Sequence, residues 1–373
     1  MKLVFASDSF KGSLSSAEII EMLSKAAKEV IGESECIGVP VADGGEGTVD
    51  SVISTTGGTR IYTEVSGPLG DKIKAYYGKP DENSAVIEMA AASGLTLISK
   101  EKRNPLFTST YGTGELIKDA LDKGFRDIYI AIGGSATNDG GMGCARALGI
   151  RFLDKSGCEL DGAGADLDKV WQIDTSGLDA RIKETKFSVL CDVKNPLCGP
   201  NGATYTFAAQ KGADREMQDR LEKGMCNYRD VIRRQFGIDP DSIVGGGAAG
   251  GMGTMLSVFL NAEMKPGIET VLDLVRFDNL ITDADLIVTG EGCTDWQSSF
   301  GKVVCGVGER AKKKGIPVID LCGSLGQGYE EIYKHGITTL ITTVNAPMSI
   351  EEAMKNAKDL YYKAAVRMFR LFV

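Results

Sequence analysis

Near its amino terminus the chain reads KLVFASDSFKGSLS (residues 2–15), and this stretch decides the fold class. The apolar run over residues 2–6 predicts a buried strand, which ends in a polar loop before a helix over residues 16–30. A second strand over residues 36–41 again ends in a polar loop, ADGGEG (residues 42–47), before another helix. Strand, loop and helix repeated in this order are typical of a parallel sheet in an α/β domain.

The middle of the chain has a different pattern. Residues 58–89 contain three strand-like runs separated by turns, which predicts a locally antiparallel sheet. Alternating strands and helices return near the carboxyl terminus, from residue 285 onward. We therefore predict an α/β protein of two domains with a cleft between them, one a discontinuous parallel-sheet domain of Rossmann or flavodoxin-like type and the other an insertion with a mixed sheet. The predicted domains are 1–58 plus 284–373, and 59–283.

Composition limits the class of function. Of 373 residues, 43% are hydrophobic and 25% charged, as in ordinary globular proteins, and the net charge of −9 argues against a nucleic-acid partner. The single histidine, His335, excludes sites that need several histidines, including most zinc enzymes. Nine cysteines without a C-x-x-C pair indicate reduced thiols, and no apolar run approaches about 18 residues. We expect a cytoplasmic protein without a membrane partner that handles small molecules; a homodimer stays open.

Candidate site residues lie in polar loops that follow predicted strands, because ligands of open parallel sheets bind beyond the carboxyl ends of the strands. Many of these loops are rich in glycine, and the chain holds 47 glycines. Five loops stand out: residues 7–13, 42–47, 133–141, 191–199 and 289–302.

The first two loops combine acids with a lysine. Lys11 follows the first strand directly, and its ammonium group suits a phosphate or a carboxylate. Asp43 and Glu46 are separated by two glycines, so both carboxylates can point into one space, where they could hold Mg²⁺ or one could act as a base. The alternative for each loop is a structural turn that caps the following helix.

The third loop has the composition of a phosphate-binding loop. Small residues and hydroxyls precede a predicted helix, where free N–H groups and the helix dipole favour an anion. Asn138 and Asp139 stand side by side, a pairing that suits Mg²⁺ in phosphoryl transfer. The predicted cradle consists of Gly133, Gly134, Ser135, Thr137, Asn138 and Asp139.

The last two loops add further acids. Asp192 could be a ligand or a base, and a purely structural role is nearly as well supported. Glu291, Asp295 and Lys302 place two acids and one lysine within twelve positions. A helix cap with a solvated lysine would produce the same pattern, so both interpretations stay open.

Acids, lysines, hydroxyls and glycine loops with almost no histidine favour phosphoryl transfer, in which the protein positions the reactants and neutralises charge. The segment 245–250 matches G-x-G-x-x-G, but no strong strand or βαβ unit surrounds it. Neither a P-loop nor the H-R-D kinase signature is present. A nicotinamide-dependent oxidoreductase and a non-catalytic sensor of small molecules remain as alternatives.

At five places the chain resembles the bacterial glycerate kinase family, the type unrelated to P-loop kinases. The matching stretches are ASDSFKGSLSS (6–16), VADGGEGT (41–48), GGSATNDGGMG (133–143), CDVKNPLCGPNGA (191–203) and TGEGCTDWQSSFGK (289–302). They span essentially the whole chain in the expected order. One departure is Cys293, where relatives often carry a basic residue.

The resemblance implies two α/β domains and phosphorylation of D-glycerate with ATP and Mg²⁺, with 2-phosphoglycerate favoured over 3-phosphoglycerate; a related small hydroxy acid is the alternative substrate. On this basis Lys11, Asp43, Asp192 and Lys302 are expected to be catalytic, with Asp43 or Asp192 as the base. The expected substrate contacts are Asp8, Ser9, Lys11, Asp43, Glu46, Glu291 and Asp295. The expected metal ligands are Asn138, Asp139 and Glu291, and the loop 133–141 would cradle the phosphates.

Overall fold

The computed structural model describes residues 1–373 and contains fifteen strands and thirteen α-helices, joined by loops and short 3₁₀ helices. The strands are β1 (Lys2–Phe5), β2 (Glu35–Gly38), β3 (Thr59–Ser66), β4 (Lys72–Lys79), β5 (Ser84–Glu88), β6 (Asp127–Ala131), β7 (Arg151–Leu153), β8 (Gln172–Asp174), β9 (Lys186–Leu190), β10 (Glu263–Lys265), β11 (Leu286–Thr289), β12 (Cys293–Thr294), β13 (Val318–Cys322), β14 (Ser324–Leu325) and β15 (Thr339–Thr342). The helices are α1 (Ser16–Val30), α2 (Thr48–Thr56), α3 (Ala90–Ser93), α4 (Tyr111–Asp122), α5 (Met142–Ala147), α6 (Ala203–Phe207), α7 (Arg215–Phe236), α8 (Ala248–Leu260), α9 (Gly267–Leu274), α10 (Phe277–Leu280), α11 (Val303–Lys314), α12 (Ile350–Lys355) and α13 (Ala357–Phe369).

The chain forms two compact units. The first unit consists of Met1–Asp43, Asp50–Gly57 and Pro266–Val373, and the second consists of Gly44–Val49 and Gly58–Lys265. The domain limits predicted above, and the cleft between the domains, stay predictions.

The first unit is built on a five-stranded sheet with the order β15-β13-β11-β1-β2. Every neighbouring pair in it is parallel, which confirms the predicted parallel sheet. The chain leaves β1 toward β2 on one side and leaves β11 toward β13 on the other. The loops after β1 and β11 therefore diverge at the carboxyl edge of the sheet, and such a switch point is where open α/β sheets bind ligands.

Apolar side chains hold this sheet against its helices. Strand β1 is buried at Leu3, Val4 and Phe5, and α1 and α13 pack against each other on the same core. The sequence fixes the start of α1 locally, because Ser15 and Glu18 form a capping box that satisfies free N–H groups of the first turn. Replacing such a capping residue by alanine lowers the free energy of unfolding by about 1 kcal/mol.

The second unit contains a six-stranded sheet with the order β10-β9-β6-β5-β4-β3. Strands β3, β4 and β5 pair antiparallel, whereas β5, β6, β9 and β10 pair parallel. The sheet is therefore mixed, as predicted. Helix α7 is rich in charged residues, yet it buries one face through residues such as Leu221, Met225 and Tyr228.

Two helical segments are irregular. The carboxyl-terminal helical segment is divided into α12 and α13 at Asn356, whose φ of −101° and ψ of 13° are not helical and whose side chain donates to the Glu352 carbonyl. The first turn of helix α8 contains left-handed residues at Ala249, Gly250 and Gly251. No helix in the structure has the length and apolar character needed to cross a membrane.

Candidate active site

A cavity of about 770 Å³ opens in the first unit beyond the carboxyl ends of the parallel strands. Its lining comes from the loops that follow β1, β2, β11 and β13, and from the segment that runs from the end of β15 through α12 into α13. This position follows from the topology, because the carboxyl ends of parallel strands lie at one edge of the sheet.

Backbone hydrogen bonds hold the loops after β1 and β11 together at one end of this cavity, which we call the polar end and define by Asp8, Lys11, Asp43, Glu291 and Lys302. The Asp8 amide donates to the Gly290 carbonyl at 2.9 Å, and the Ser7 hydroxyl donates to the same carbonyl at 2.9 Å. A Cβ on Gly290 would lie 2.3 Å from the Leu321 carbonyl oxygen, so only glycine lets the loop after β11 lie this close to β13. Acids from separate loops thus share one space.

The carboxyl group of Asp8 is perturbed by this crowding. Burial raises its pKa from 3.8 to about 6, the charges of Asp43 and Glu291 add to the rise, and the Ser9 amide and Lys11 oppose it. The Ser9 amide donates to Asp8 Oδ1 at 2.7 Å. A carboxyl group whose pKa is raised by burial and by neighbouring like charges in a cavity is typical of functional sites. A cation bound here would relieve the repulsion.

Glu291 contributes the most enclosed carboxylate of the polar end. The residue is 8% exposed, and its Oε1 is buried without a hydrogen-bond partner. Its Oε2 lies 3.7 Å from Lys302 Nζ. Burial raises the pKa of Glu291, whereas Ser298 and Lys302 oppose that rise. An unpartnered oxygen at a ligand-sized cavity offers a ready contact for a cation or a hydrogen-bond donor.

A further acid, Asp320, lies inside β13 and is fully buried. The Thr294 hydroxyl donates to its Oδ2 at 2.8 Å, and its Oδ1 has no partner. Burial raises the pKa of Asp320 to about 8, and the charge of Glu291 adds to the rise. Its bond to Thr294 ties β13 to β12, the strand that directly follows Glu291 and Gly292.

A further part of the cavity lining, which we call the apolar end, is formed mainly by Val344, Met348, Ile350, Met354 and Leu360. Ile350 is 77% exposed and Met354 is 41% exposed. A Cβ on Gly12 would lie 3.1 Å from Met354 Cε, so the apolar end begins beside the loop that carries Lys11. One cavity therefore offers charged groups and, beside them, apolar surface.

Comparisons with known proteins identify the family of this chain. The family model described as "Glycerate kinase family" matches residues 3–373. The chain belongs to the glycerate kinase family. It is 46% identical over 364 residues to the glycerate kinase of Halalkalibacterium halodurans, covering 97% of this chain and 96% of the relative. It is 44% identical over 366 residues to the glycerate 2-kinase of Escherichia coli K12, covering 98% and 96%.

A solved structure shows the same fold in this family. The crystal structure from Salmonella typhimurium LT2 that carries the name glycerate kinase 2 superposes with a TM-score of 0.88 at 42% identity, covering 100% of this chain and 98% of that one. The predicted resemblance to the glycerate kinase family is therefore confirmed, and so is the predicted α/β fold.

Six of the predicted site residues line the cavity: Asp8, Ser9, Lys11, Asp43, Glu291 and Lys302. Asp295 does not line it; its side chain instead accepts from the Gln297 amide at 2.8 Å and caps a short 3₁₀ helix. Glu46 and Asp192 are exposed and belong to the second unit. Their assigned roles in this glycerate kinase family member stay predictions.

The loop 133–141 also lies in the second unit, and its acid is enclosed by protein donors. Asp139 Oδ2 accepts from the Thr110 amide and hydroxyl, both at 2.8 Å, and Oδ1 accepts from the Gly141 amide at 3.0 Å. Asn138 is also fully buried and donates to the Thr204 hydroxyl at 3.2 Å. Metal binding by Asp139 would require these bonds to be given up, so its predicted role needs a rearrangement.

The remaining members of the predicted cradle differ in exposure. Gly134 is exposed and has a φ of +73°, whereas Ser135 is 8% exposed and Thr137 is fully buried. A Cβ on Gly133 would lie 2.8 Å from Gly45 Cα, so this glycine allows two loops of the second unit to approach closely. Phosphate binding by this loop stays a prediction.

Sequence reasoning missed Asp320 and the apolar end of the cavity. The loops after β13 and β15 read CGSLGQG (322–328) and TTVNAP (342–347). Both follow buried or half-buried strands and carry glycine or hydroxyl residues, which is the signal that selected the other loops. The sequence indicates Asp320 less clearly as a site residue. An acid inside an apolar strand is unusual, but the sequence does not show which residue it contacts.

Proposed function

We propose that this protein phosphorylates D-glycerate with ATP and Mg²⁺, and that the reaction takes place at the polar end of the cavity in the first unit. The observation that carries this proposal is the grouping of Asp8, Asp43 and Glu291 with Lys11 and Lys302 at the switch point of the parallel sheet. Family membership supports the reaction, and the name of the E. coli relative supports transfer to the 2-hydroxyl.

The donor set at the polar end fits Mg²⁺. Carboxylate oxygens are the ligands this ion prefers, and Glu291 presents a buried oxygen without a partner. We assign Glu291 and Asp8 as the residues that would hold the ion. When bound, Mg²⁺ neutralises charge on the phosphates of the donor.

The lysines serve the anionic groups of the reactants. Lys11 is exposed on the loop after β1, and Lys302 lines the same cavity from the position directly before α11. We assign Lys302 to the transferred phosphoryl group, and Lys11, with Ser9 beside it, to a phosphate or to the glycerate carboxylate. Ammonium groups bind both kinds of anion as point charges, without a fixed geometry.

Asp43 is the base we favour for the attacking hydroxyl. It comes from the loop after β2, independently of Asp8 and Glu291, and its charge reaches both of them. A carboxylate within hydrogen-bond reach of the hydroxyl suffices when the transition state is loose, because the proton leaves late. Asp192 is the other candidate for this role, and it is exposed at the end of β9.

The nicotinamide alternative has less support in the structure. The glycines of residues 245–250 face other backbone rather than open space: a Cβ on Gly250 would lie 2.2 Å from the Thr137 carbonyl oxygen, and one on Gly247 would lie 2.0 Å from the Pro196 carbonyl oxygen. The Gly140 amide donates to the Gly250 carbonyl at 2.9 Å. These glycines therefore serve close packing between loops.

The test is a coupled assay of ADP release with D-glycerate, L-glycerate and other small hydroxy acids, followed by NMR of the product. We expect turnover that requires D-glycerate, ATP and Mg²⁺, with phosphate on the 2-hydroxyl. Phosphate on the 3-hydroxyl would contradict the assigned position only. Turnover with a different acid alone would contradict the substrate, and absence of ADP release with every acid would contradict the kinase reaction.

A further inference from the structure

The cavity is more apolar than a site for D-glycerate requires. Each of the three carbons of glycerate carries oxygen, so this substrate has almost no surface to bury against hydrocarbon. The apolar end nevertheless presents Val344, Met348, Ile350, Met354 and Leu360 to the cavity. Apolar residues that stay exposed in a concave site indicate a ligand with an apolar part.

The exposure is concentrated on α12 and the segment before it. Ile350 is 77% exposed and Met354 41% exposed, although both lie on a cavity wall. The unbranched side chain of methionine adapts to flat or irregular ligand surfaces. Ala353 and Ala357 also line the cavity, and their small side chains leave space between the larger ones.

The two kinds of cavity lining match the two chemical parts of a nucleoside triphosphate. Lys11 and Lys302 at the polar end suit phosphates, and a planar heteroaromatic base suits the apolar end. The loop 11–12 joins them, because Met354 Cε would lie 3.1 Å from a Cβ on Gly12. A volume of about 770 Å³ lies in the range of sites that enclose a ligand of this size.

We propose that the apolar end, centred on Ile350, Ala353 and Met354, is the subsite that binds the base of the nucleotide, so that the first unit holds the phosphate donor. This inference rests on the proposed function, since it assigns a place to the nucleotide which that reaction consumes. It implies that base binding and phosphate binding depend on different residues of one cavity.

The experiment compares two ligands that share phosphates and differ in the base. Binding of ATP and of inorganic tripolyphosphate, each with Mg²⁺, is measured by calorimetry in the absence of glycerate. The variant Ala353→Trp fills the apolar end, and Lys355→Trp places the same side chain on an exposed position of α12 outside the cavity. Thermal unfolding of both variants checks that each is folded.

We expect Ala353→Trp to weaken ATP about tenfold or more while tripolyphosphate stays within about twofold, and Lys355→Trp to change neither. In steady state, the KM for ATP should rise while the KM for D-glycerate stays the same. Equal weakening of both ligands by Ala353→Trp, or no weakening of ATP, would overturn the assignment.

A second variant guards against misfolding. Ile350→Asn alters a largely exposed side chain, so folding should survive, and an uncharged polar group against the base should also weaken ATP but not tripolyphosphate. Failure of the proposed function would appear differently, as a wild-type protein that binds no ATP and releases no ADP. Normal turnover with unaltered ATP binding in both cavity variants would overturn the base subsite alone.

Discussion

Glu291 is the residue whose replacement most directly tests the proposed Mg²⁺ site. Its buried Oε1 has no partner, and its Oε2 faces Lys302 at 3.7 Å. Replacement by glutamine keeps the size of the side chain and removes the charge that would attract a cation. We expect Glu291→Gln to lower kcat by about 100-fold and to raise the Mg²⁺ concentration needed for half-maximal activity.

The matched control for this change is Glu330→Gln, which alters an exposed glutamate outside the cavity lining. Its kcat and Mg²⁺ dependence should equal those of the wild type. An unchanged Mg²⁺ dependence in Glu291→Gln would remove Glu291 from the proposed metal ligands.

The buried carboxyl group of Asp320 should affect how the free energy of unfolding depends on pH, rather than turnover. Its pKa in the folded protein is about 8, against 3.8 for an unperturbed carboxyl group, because it is buried. Between about pH 4 and about pH 8 the folded state therefore holds a proton that the unfolded chain has released. Stability must fall as pH rises through this window, by up to about 1.4 kcal/mol per pH unit.

The variant Asp320→Asn mimics the protonated side chain and cannot titrate. Measured by denaturant unfolding at a series of pH values, it should lose this fall, so that its advantage over the wild type grows from about pH 4 to about pH 8. Asp161→Asn, a change at an exposed aspartate, should leave the wild-type slope unchanged. Parallel curves for Asp320→Asn and the wild type would show that Asp320 is ionised in the folded protein.

At the scale of elements, two short parallel strands, β12 and β14, form part of the cavity wall. Strand β12 pairs with β14 through Cys293 with Ser324 and Thr294 with Leu325. A Cβ on Gly323 would lie 2.3 Å from the Gly292 carbonyl oxygen, whereas the nearest atom to a Cβ on Gly292 is 3.7 Å away. Two neighbouring glycines on the cavity lining thus differ in the space available to a methyl group.

We expect Gly323→Ala to force β12 and β14 apart and to destabilise the protein by about 1–3 kcal/mol, with loss of activity. Gly292→Ala should change stability by less than about 0.5 kcal/mol. Thermal unfolding of both variants makes the comparison, and equal melting temperatures would contradict the close approach at Gly323.

The elements also show what sequence can predict. The rule that ligands bind beyond parallel strands found Asp8, Lys11, Asp43, Glu291 and Lys302, because buried strands and polar loops differ sharply in composition. The same rule cannot distinguish a glycine-rich loop that binds a ligand from a glycine-rich loop that packs closely against another loop. The loops at 133–141 and 245–250 have the same small residues, and the Gly140 amide bonds to the Gly250 carbonyl.

At the scale of the whole molecule, the alternation of strands and helices predicted two α/β parts, but not the order of strands. In the first unit β1 lies between β2 and β11, although residues 3 and 286 are far apart in sequence. Such pairing depends on which face of the sheet each crossover helix covers. No single segment of the sequence determines this, so local patterns do not predict the strand order. The apolar end of the cavity was missed for the same reason, since α12 reaches it only through the tertiary fold.

Buried ionisable groups in both units should together determine how the stability of the whole molecule depends on pH. Lys211 in the second unit is 2% exposed, and its ammonium group donates to the Thr137 carbonyl at 2.6 Å. Burial lowers its pKa from 10.5 to about 7, and the charge of Asp139 opposes this. From about pH 7 to about pH 10.5 the unfolded chain binds the extra proton, so stability should rise with pH there.

Lys211 and Asp320 thus act with opposite signs, and their contributions should nearly cancel between about pH 7 and about pH 8. Lys211→Met cannot titrate, so it should lose the alkaline rise while Asp320→Asn loses the fall at lower pH. The methionine also leaves the Thr137 carbonyl without its donor, which lowers stability by an amount that does not vary with pH. Unfolding free energies of Lys211→Met and the wild type that stay parallel above pH 7 would mean that Lys211 keeps its proton when buried, and the pH dependence would then originate elsewhere in the molecule.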